Sequence, residues 1–300
     1  MSVLVVGSMA IDTVHTPFGK AEDVLGGSAS YFSIAASLFS DVRVVAVIGD
    51  DFPDKYLENF ESRSIELNGL KKVKGKTFRW EGRYGYDLGD PETLGTYQNV
   101  FEDFNPEIPD EYKDTDYVFL GNIDPELQLH VLNQVKDPKL VACDTMNFWI
   151  ENKLDNLLKV VSKVDVLLIN DSECRELAGE AGILKAARKV VDMGPKILIV
   201  KRGEYGALMF SDQGIFWAPS YPLEDVVDPT GAGDTFAGGF MGYISGNGIK
   251  DYSGYKKAIV YGSVLASFTV EDFSVGKIIS IRKPDIETRY EAFLRLSNFE

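Results

Sequence analysis

Short runs of apolar, mostly β-branched residues recur along the chain, and most of them are continuous rather than alternating with polar residues. Strands covered by helices on both faces have this pattern. The runs are residues 3–6, 42–48, 117–120, 140–143, 166–169 and 197–200. Segments of helical period lie between several of these runs, and they are residues 27–39, 152–161 and 183–191. Because strand and helix alternate, the sequence predicts an α/β fold built on a parallel sheet.

Residues 74–105 depart from this pattern. They alternate polar with aromatic residues and are interrupted by glycines and prolines, which indicates antiparallel hairpins. A small β-sheet on a large α/β body would be either a lid over a ligand site or an edge extension that serves only dimerisation. No repeat or linker divides the 300 residues, so we predict one domain over residues 1–300, with a β-lid formed by roughly residues 12–20 and 74–105.

Composition and charge disfavour several classes of function. Asp and Glu outnumber Lys and Arg by 46 to 31, a net charge of −15, which argues against nucleic acid or an anionic membrane as a partner. Two histidines disfavour a multi-histidine metal site, and two cysteines make no disulfide framework. No apolar run approaches the roughly 20 residues of a membrane span. The sequence therefore predicts a cytoplasmic protein with a small-molecule ligand.

The most informative segment, residues 228–236, reads DPTGAGDTF and is followed by an apolar stripe of helical period. A proline and two glycines before such a stripe predict a loop that enters a helix. At a helix start the backbone N–H groups of Gly231, Ala232 and Gly233 would lack partners. Together with the helix dipole they would form an anion hole, and the small side chains would let a ligand approach closely.

Asp234 follows this anion hole directly. Phosphoryl transfer has a loose transition state, so the group that accepts the proton mainly orients the attacking hydroxyl. An anion hole beside a carboxylate therefore suits transfer of a phosphoryl group to an alcohol. The helix dipole should keep Asp234 ionised and make it a weak base. The alternative function for Asp234 is a helix N-cap.

Residues 228–236 resemble the carboxy-terminal signature of the ribokinase, or PfkB carbohydrate kinase, family. Segments resembling further family motifs follow in the expected order along the chain, and they are residues 7–12, 25–29, 49–51, 170–173 and 201–206. The resemblance implies a ribokinase-like three-layer sandwich with a mostly parallel central sheet and a small β-lid. It also implies an ATP-dependent phosphotransferase that uses Mg²⁺ and phosphorylates the hydroxymethyl group of a sugar.

The resemblance places the acceptor site in the amino-terminal part of the chain. Asp12 would accept hydrogen bonds from sugar hydroxyls, and the backbone at Gly26 and Gly27 would pack against the substrate. The residues alone leave an Asx turn at Asp12 and a simple helix-entry turn at the two glycines as alternatives. Tyr31 stands where the family often has an asparagine that bonds the sugar, which favours a nucleoside or another polyol as the acceptor.

The resemblance places nucleotide binding in the carboxy-terminal half. Asn170 and Glu173 resemble the motif that orders magnesium and phosphates, with Glu173 acting on Mg²⁺ indirectly, and their spacing is also that of a helix capping box. Asp228 would belong to a monovalent-cation site completed by carbonyls of residues 270–276, which implies K⁺. The other nucleotide-binding positions implied are Lys201, Gly203, Thr230 and Ser263. For Lys201, the alternative is an exposed lysine at a strand end.

Several interpretations stay open on the sequence alone. The main one is a sugar kinase, and a nucleoside kinase of the same family is its alternative. A non-catalytic sugar- or nucleotide-binding regulator that keeps the fold is a second alternative, and an ADP-dependent sugar kinase is a third. The aromatic residues of segment 78–104 would also permit a homodimer formed through the lid.

Overall fold

The computed structural model describes residues 1–298, which form thirteen strands and ten α-helices. The strands are β1 (Ser2–Val6), β2 (Ala10–Thr16), β3 (Gly19–Gly26), β4 (Asp41–Gly49), β5 (Ile65–Val73), β6 (Phe78–Arg83), β7 (Glu92–Tyr97), β8 (Tyr117–Leu120), β9 (Leu140–Asp144), β10 (Val166–Asn170), β11 (Ile197–Lys201), β12 (Ala207–Ser211) and β13 (Gly214–Ala218). The helices are α1 (Ser28–Ala36), α2 (Asp54–Glu61), α3 (Pro125–Leu132), α4 (Asn147–Asn152), α5 (Leu154–Val161), α6 (Asp171–Ala178), α7 (Ile183–Val191), α8 (Ala232–Asn247), α9 (Tyr252–Thr269) and α10 (Lys283–Ser297).

Nine strands form the main sheet in the order β13-β12-β11-β10-β9-β8-β1-β4-β5. The pairings from β11 to β5 are all parallel, and β12 and β13 extend one edge in antiparallel fashion. All six predicted apolar runs lie in the parallel part, so the predicted α/β fold with a mostly parallel sheet is confirmed. Strands β5, β12 and β13 were not predicted. Within residues 1–298, every helix is too short or too polar to span a lipid bilayer.

Helices cover both faces of the parallel strands, which explains why the apolar runs are continuous. In β1, Val3 and Val5 point into one core, while Leu4 and Val6 point into the other. Helices α1, α8 and α9 supply side chains to the first core, and α5, α6 and α7 supply them to the second. The result is the predicted three-layer sandwich, with polar side chains excluded from the middle of the sheet.

A second sheet of four strands has the order β3-β2-β6-β7. The β6–β7 pair is antiparallel, as the hairpin pattern of residues 74–105 predicted; β2 and β3 form a second antiparallel pair, and β2 pairs with β6 in parallel. The far end of segment 74–105 does not belong to this sheet. Phe104 is buried in the second core of the main domain and stacks on Phe101. That this sheet is a lid stays a prediction.

Helix α8 packs unusually close to α1. Gly238, Gly242 and Gly246 are four residues apart and therefore share one helix face. A Cβ atom at Gly238 would lie 2.4 Å from the carbonyl oxygen of Phe32, and one at Gly242 would lie 2.7 Å from the Cα of Ala36. Glycine at these positions lets the two backbones touch, and this contact sets where the amino terminus of α8 meets the sheet.

We expect Gly242→Ala to destabilise the protein by about 1–2 kcal/mol, because the cost of overpacking exceeds the gain in helix propensity. Urea titration would measure the change in the free energy of unfolding. Gly89→Ala is the matched control, since Gly89 is exposed and a Cβ there makes only ordinary contacts. Equal stability of the two variants would contradict the close α1–α8 contact.

Candidate active site

Polar side chains lie at the carboxyl ends of three neighbouring parallel strands. Asp144 ends β9, Asn170 ends β10 and Lys201 ends β11. In open parallel sheets this edge is where ligands bind. The amino terminus of α8 faces the same edge, since a Cβ atom at Gly233 would lie 3.2 Å from the Nζ of Lys201. Helix α8 therefore brings residues 231–234 to the strand ends.

The turn before α8 has the backbone shape that its glycines predict. Gly231 is the N-cap of α8 and has a φ of +73°, in the left-handed region. The N–H of Ala232 donates to the carbonyl of Pro229 at 3.1 Å, so it closes the turn and is already occupied. Within residues 1–298 the N–H groups of Gly231 and Gly233 donate no hydrogen bond. The structure therefore leaves two of the three predicted anion-hole amides unpaired.

Asp234 lies in the first turn of α8 and makes no capping hydrogen bond, so the N-cap alternative was wrong. Burial and the charge of Asp144 raise the pKa of the Asp234 carboxyl and the ammonium of Lys201 lowers it, which together leave it at about 7. The expectation that the helix dipole keeps Asp234 a weak base was also wrong. Desolvation and a second carboxylate outweigh the partial charge of the helix end.

Lys201 is not the exposed lysine of the alternative interpretation. Its side chain is only 16% exposed, and its Nζ lies 2.8 Å from the Oδ2 of Asp144. Burial lowers the pKa of Lys201, but the charges of Asp144 and Glu173 outweigh that effect and leave its pKa raised. Sequence reasoning missed Asp144. The signal was present, because Asp144 follows an apolar strand in the same way that Asn170 does.

Asn170 and Glu173 form the capping box that their spacing allowed. The Oδ1 of Asn170 accepts from the Glu173 amide at 2.8 Å, and the Oε2 of Glu173 accepts from the Asn170 amide at 2.7 Å. Burial, followed by the charge of Asp144, raises the pKa of Glu173 to about 8. The capping box orients the carboxylate of Glu173 beside the Asp144–Lys201 pair.

Asp12 reaches the same site from the second sheet. It lies within β2 rather than in an Asx turn, and only 5% of it is exposed. Its Oδ1 is buried without a hydrogen-bond partner. Burial, followed by the charges of Asp228 and Asp234, raises the pKa of Asp12 to about 8. A buried acceptor without a donor indicates a place for a ligand hydroxyl.

Gly26 and Gly27, the glycines predicted beside the acceptor, stand where a Cβ atom would clash with the side chain of Asp12 or with the backbone. A Cβ atom at Gly26 would lie 1.8 Å from the Oδ2 of Asp12. Gly27 has a φ of +91° and is the N-cap of α1, and a Cβ there would lie 2.5 Å from the carbonyl of Ser8. The helix-entry turn is therefore present, and it also brings the backbone against Asp12.

Two tyrosines surround the turn before α8. Tyr31 is buried against it, because a Cβ atom at Gly231 would lie 2.4 Å from the Tyr31 ring. Tyr84 follows β6, and its hydroxyl accepts from the Oγ1 of Thr230 at 3.1 Å. Burial raises the pKa of both phenols, and the charges of Asp228 and Asp12 add to the effect. Tyr84 thereby joins the second sheet to the turn.

Asp228 ties two loops together beneath this turn. Its Oδ1 accepts from the Thr230 amide at 2.9 Å, and its Oδ2 accepts from the Ser274 amide at 3.2 Å. The carbonyl of Val270 accepts from the Val227 amide at 2.7 Å. The structure thus brings the predicted cation-site residue next to segment 270–276, which was expected to complete that site.

Two predicted nucleotide-binding residues are not joined to this cluster by a hydrogen bond among residues 1–298. Gly203 lies in an exposed turn after β11, with open space where a Cβ would stand. Ser263 is buried in the middle of α9. Two clefts along β5, of about 340 and 370 Å³, lie away from the site.

Comparison with known proteins agrees with the fold and the motifs. Residues 2–282 match the model of the pfkB family of carbohydrate kinases. A cytidine kinase of Thermococcus kodakarensis is 32% identical over 259 residues, which cover 84% of this chain and 91% of that protein.

Two solved structures share the fold at low sequence identity. A Burkholderia thailandensis nucleoside kinase in complex with inosine has a TM-score of 0.79 and 18% identity, with 97% of each chain covered. A putative ribokinase II from E. coli in complex with ATP and Mg²⁺ also has a TM-score of 0.79 and 18% identity, covering 97% of this chain and 99% of that one. With the family match, these findings confirm the predicted resemblance: the chain belongs to the pfkB family of carbohydrate kinases.

Proposed function

We propose that this kinase transfers the γ-phosphoryl group of ATP to the primary hydroxyl of a sugar unit, and that the preferred acceptor is a nucleoside. One observation carries the proposal. The unpaired amides of Gly231 and Gly233 belong to one turn, where the ammonium of Lys201 lies against Gly233 and the carboxyl of Asp234 feels the charge of that ammonium. Amides and a cation suit a phosphoryl group, and a carboxylate suits the hydroxyl that attacks it.

The transfer itself needs one base and one set of donors. The acceptor hydroxyl oxygen forms a bond to the γ-phosphorus, the bond from that phosphorus to the β-γ bridging oxygen breaks, and ADP leaves. The hydroxyl proton passes to the carboxylate of Asp234. The amides of Gly231 and Gly233 donate to the oxygens of the moving group. A pKa near 7 for Asp234 suits proton acceptance at neutral pH.

The acceptor would bind between the two sheets. The unpartnered Oδ1 of Asp12 would accept a hydrogen bond from a sugar hydroxyl, and the close turn at Gly26 and Gly27 would hold the sugar beside it. Tyr31, where a sugar-binding asparagine was expected, and the similarity to a cytidine kinase both favour a nucleoside over a free sugar.

The residues present fit a nucleotide bound with magnesium. Among residues 1–298 no three His, Cys, Asp or Glu side chains form a metal cluster, and Mg²⁺ typically takes one or two carboxylates plus water and phosphate oxygens. Glu173 and Asn170 would hold the ion indirectly. When bound, magnesium neutralises phosphate charge in a site that has several carboxylates. The E. coli relative described above was solved with ATP and Mg²⁺.

The proposed activity is tested by a coupled assay for ADP release over ribose, fructose, adenosine, cytidine and inosine. We expect ATP-dependent turnover with the highest kcat/KM for a nucleoside. In a parallel assay, ADP replaces ATP as the phosphoryl donor. In another assay, choline replaces K⁺, and turnover should fall because the predicted cation site at Asp228 then lacks its ion. Highest kcat/KM for a free sugar would contradict the nucleoside preference. A ligand-induced thermal shift with no turnover on any acceptor would favour the non-catalytic regulator.

The pH dependence should report the ionisation of Asp234. A base acts in its ionised form, so we expect kcat/KM to rise with pH through an apparent pKa near 7. Asp234→Asn should remove this rising limb and lower kcat by roughly 10²- to 10⁴-fold, while nucleotide binding persists. Asp225→Asn is the matched control, because Asp225 is an exposed acid in the preceding loop. Near-wild-type turnover of Asp234→Asn would remove Asp234 from the mechanism.

A second copy of this chain is the partner that we propose for the second sheet. Four apolar side chains of this region are exposed, and they are Phe18, Tyr86, Leu94 and Tyr97. Gel filtration should give twice the mass of one chain, and Tyr86→Ser combined with Phe18→Ser should shift it toward the monomer. Elution of the wild type as a monomer would contradict the proposal.

A further inference from the structure

The Asp144–Lys201 ion pair spans a third strand. Asp144 ends β9 and Lys201 ends β11, and β10 lies between them, with Leu168 beside Asp144 and Asn170 beside Lys201. Neighbouring strands are about 4.8 Å apart, so the two backbones are separated by roughly 10 Å. The side chain of Lys201 must therefore lean across the end of β10 to place its Nζ 2.8 Å from the Oδ2 of Asp144.

We propose that Asp144 is a positioning residue that holds the ammonium of Lys201 beside the turn at Gly233, where Lys201 contacts the phosphoryl group during transfer. The inference rests on the proposed function and deepens it. It assigns a role to an acidic residue that the sequence motifs did not include, and it gives the lysine one defined location.

The location of the ammonium supports contact with a phosphoryl group. A Cβ atom at Gly233 would lie 3.2 Å from the Nζ of Lys201, and the N–H of Gly233 is unpaired within residues 1–298. The ammonium and the amide therefore border the same small space. A lysine ammonium is a point charge on a flexible four-carbon stem, so a fixed partner is needed to keep it there.

Asp144 is itself held in place. Its Oδ1 accepts from the Thr145 amide at 2.9 Å, which leaves Oδ2 to face the lysine. Its backbone carbonyl accepts from the Nε2 of the fully buried Gln128 at 3.0 Å, and the same Nε2 donates to the carbonyl of Gly121 at 2.9 Å. The carboxylate is thus oriented before any ligand binds.

Without Asp144, two other carboxylates would compete for the lysine. The charge of Lys201 already lowers the pKa of both Glu173 and Asp234. Among the described residues, however, only Asp144 lies within ion-pair distance of the ammonium. A buried ammonium without a partner is strongly destabilising, so the lysine would pair with another carboxylate. Pairing with Asp234 would quench the proposed base and would remove the cation from the phosphate site.

A double-mutant cycle tests the role of Asp144. Asp144→Asn keeps an acceptor for the Thr145 amide but removes the charge, and Lys201→Met removes the ammonium at similar length. We expect Asp144→Asn to lower kcat by roughly 10- to 100-fold, as loss of an orienting partner does, with little change in acceptor KM. In the Lys201→Met background the same substitution should change kcat less than about threefold, because residues that act together are not additive.

Equal losses in both backgrounds would overturn the proposal. Asp116→Asn is the matched control and should leave kcat unchanged. Asp116 also pairs with a lysine, Lys139, but this pair lies at the amino ends of β8 and β9, away from the site. If Asp144→Asn does not fold, Asp144→Glu keeps the charge and shifts it by one methylene. A lower kcat in that variant is then expected, and wild-type kcat would overturn the proposal.

The same cycle separates failure of this inference from failure of the proposed function. If the wild type turns over no acceptor, the proposed function fails, and the cycle is measured on the Kd of MgATP by titration calorimetry. Weaker binding by Asp144→Asn in the wild-type background alone would still support the lysine-positioning role. Equal weakening in both backgrounds, or no binding of MgATP by the wild type, would overturn it.

Discussion

Helices cover both faces of the six inner parallel strands, and this constraint organises the rest of the molecule. Polar side chains cannot face either core, so the polar groups of these strands collect where the strands end. Because parallel strands end at one edge, Asp144, Asn170 and Lys201 meet there although they are far apart in sequence. Helix α8 completes the site, since its glycine face rests directly on α1 and aims its first turn at that edge.

The site combines buried carboxylates with few cations. Burial raises the pKa of Asp12, Glu173 and Asp234 above the usual range for carboxyls, and nearby carboxylates raise it further. Such a site repels an anionic nucleotide unless positive charge is supplied. The ammonium of Lys201, the amides at the start of α8 and a magnesium ion brought with the nucleotide would supply it. Electrostatic balance, rather than shape alone, therefore accounts for the presence of a buried lysine.

Sequence reasoning predicted the local motifs better than it predicted the ionisation of the site or the edge of the sheet. The loop before α8 was predicted from proline and glycine chemistry, and the capping box at Asn170 was predicted from spacing alone. The ionisation of Asp234 was predicted in the wrong direction, because its pKa is raised first by burial and then by the charge of Asp144 on another strand, and both depend on tertiary packing. Strand β5 was not predicted, since as an edge strand it is only partly buried and carries two lysines.

The sequence by itself determined the fold class, the family and the loop that enters α8, because burial on both faces, turn residues and helix starts leave patterns within a few neighbouring residues. Only the tertiary structure decided that β2 pairs with β6, that Tyr84 reaches Thr230 and that Asp144 holds Lys201. Each of these contacts joins residues more than 50 positions apart. Such pairings depend on how whole strands and helices pack against one another, and this packing leaves no pattern within a short segment of sequence.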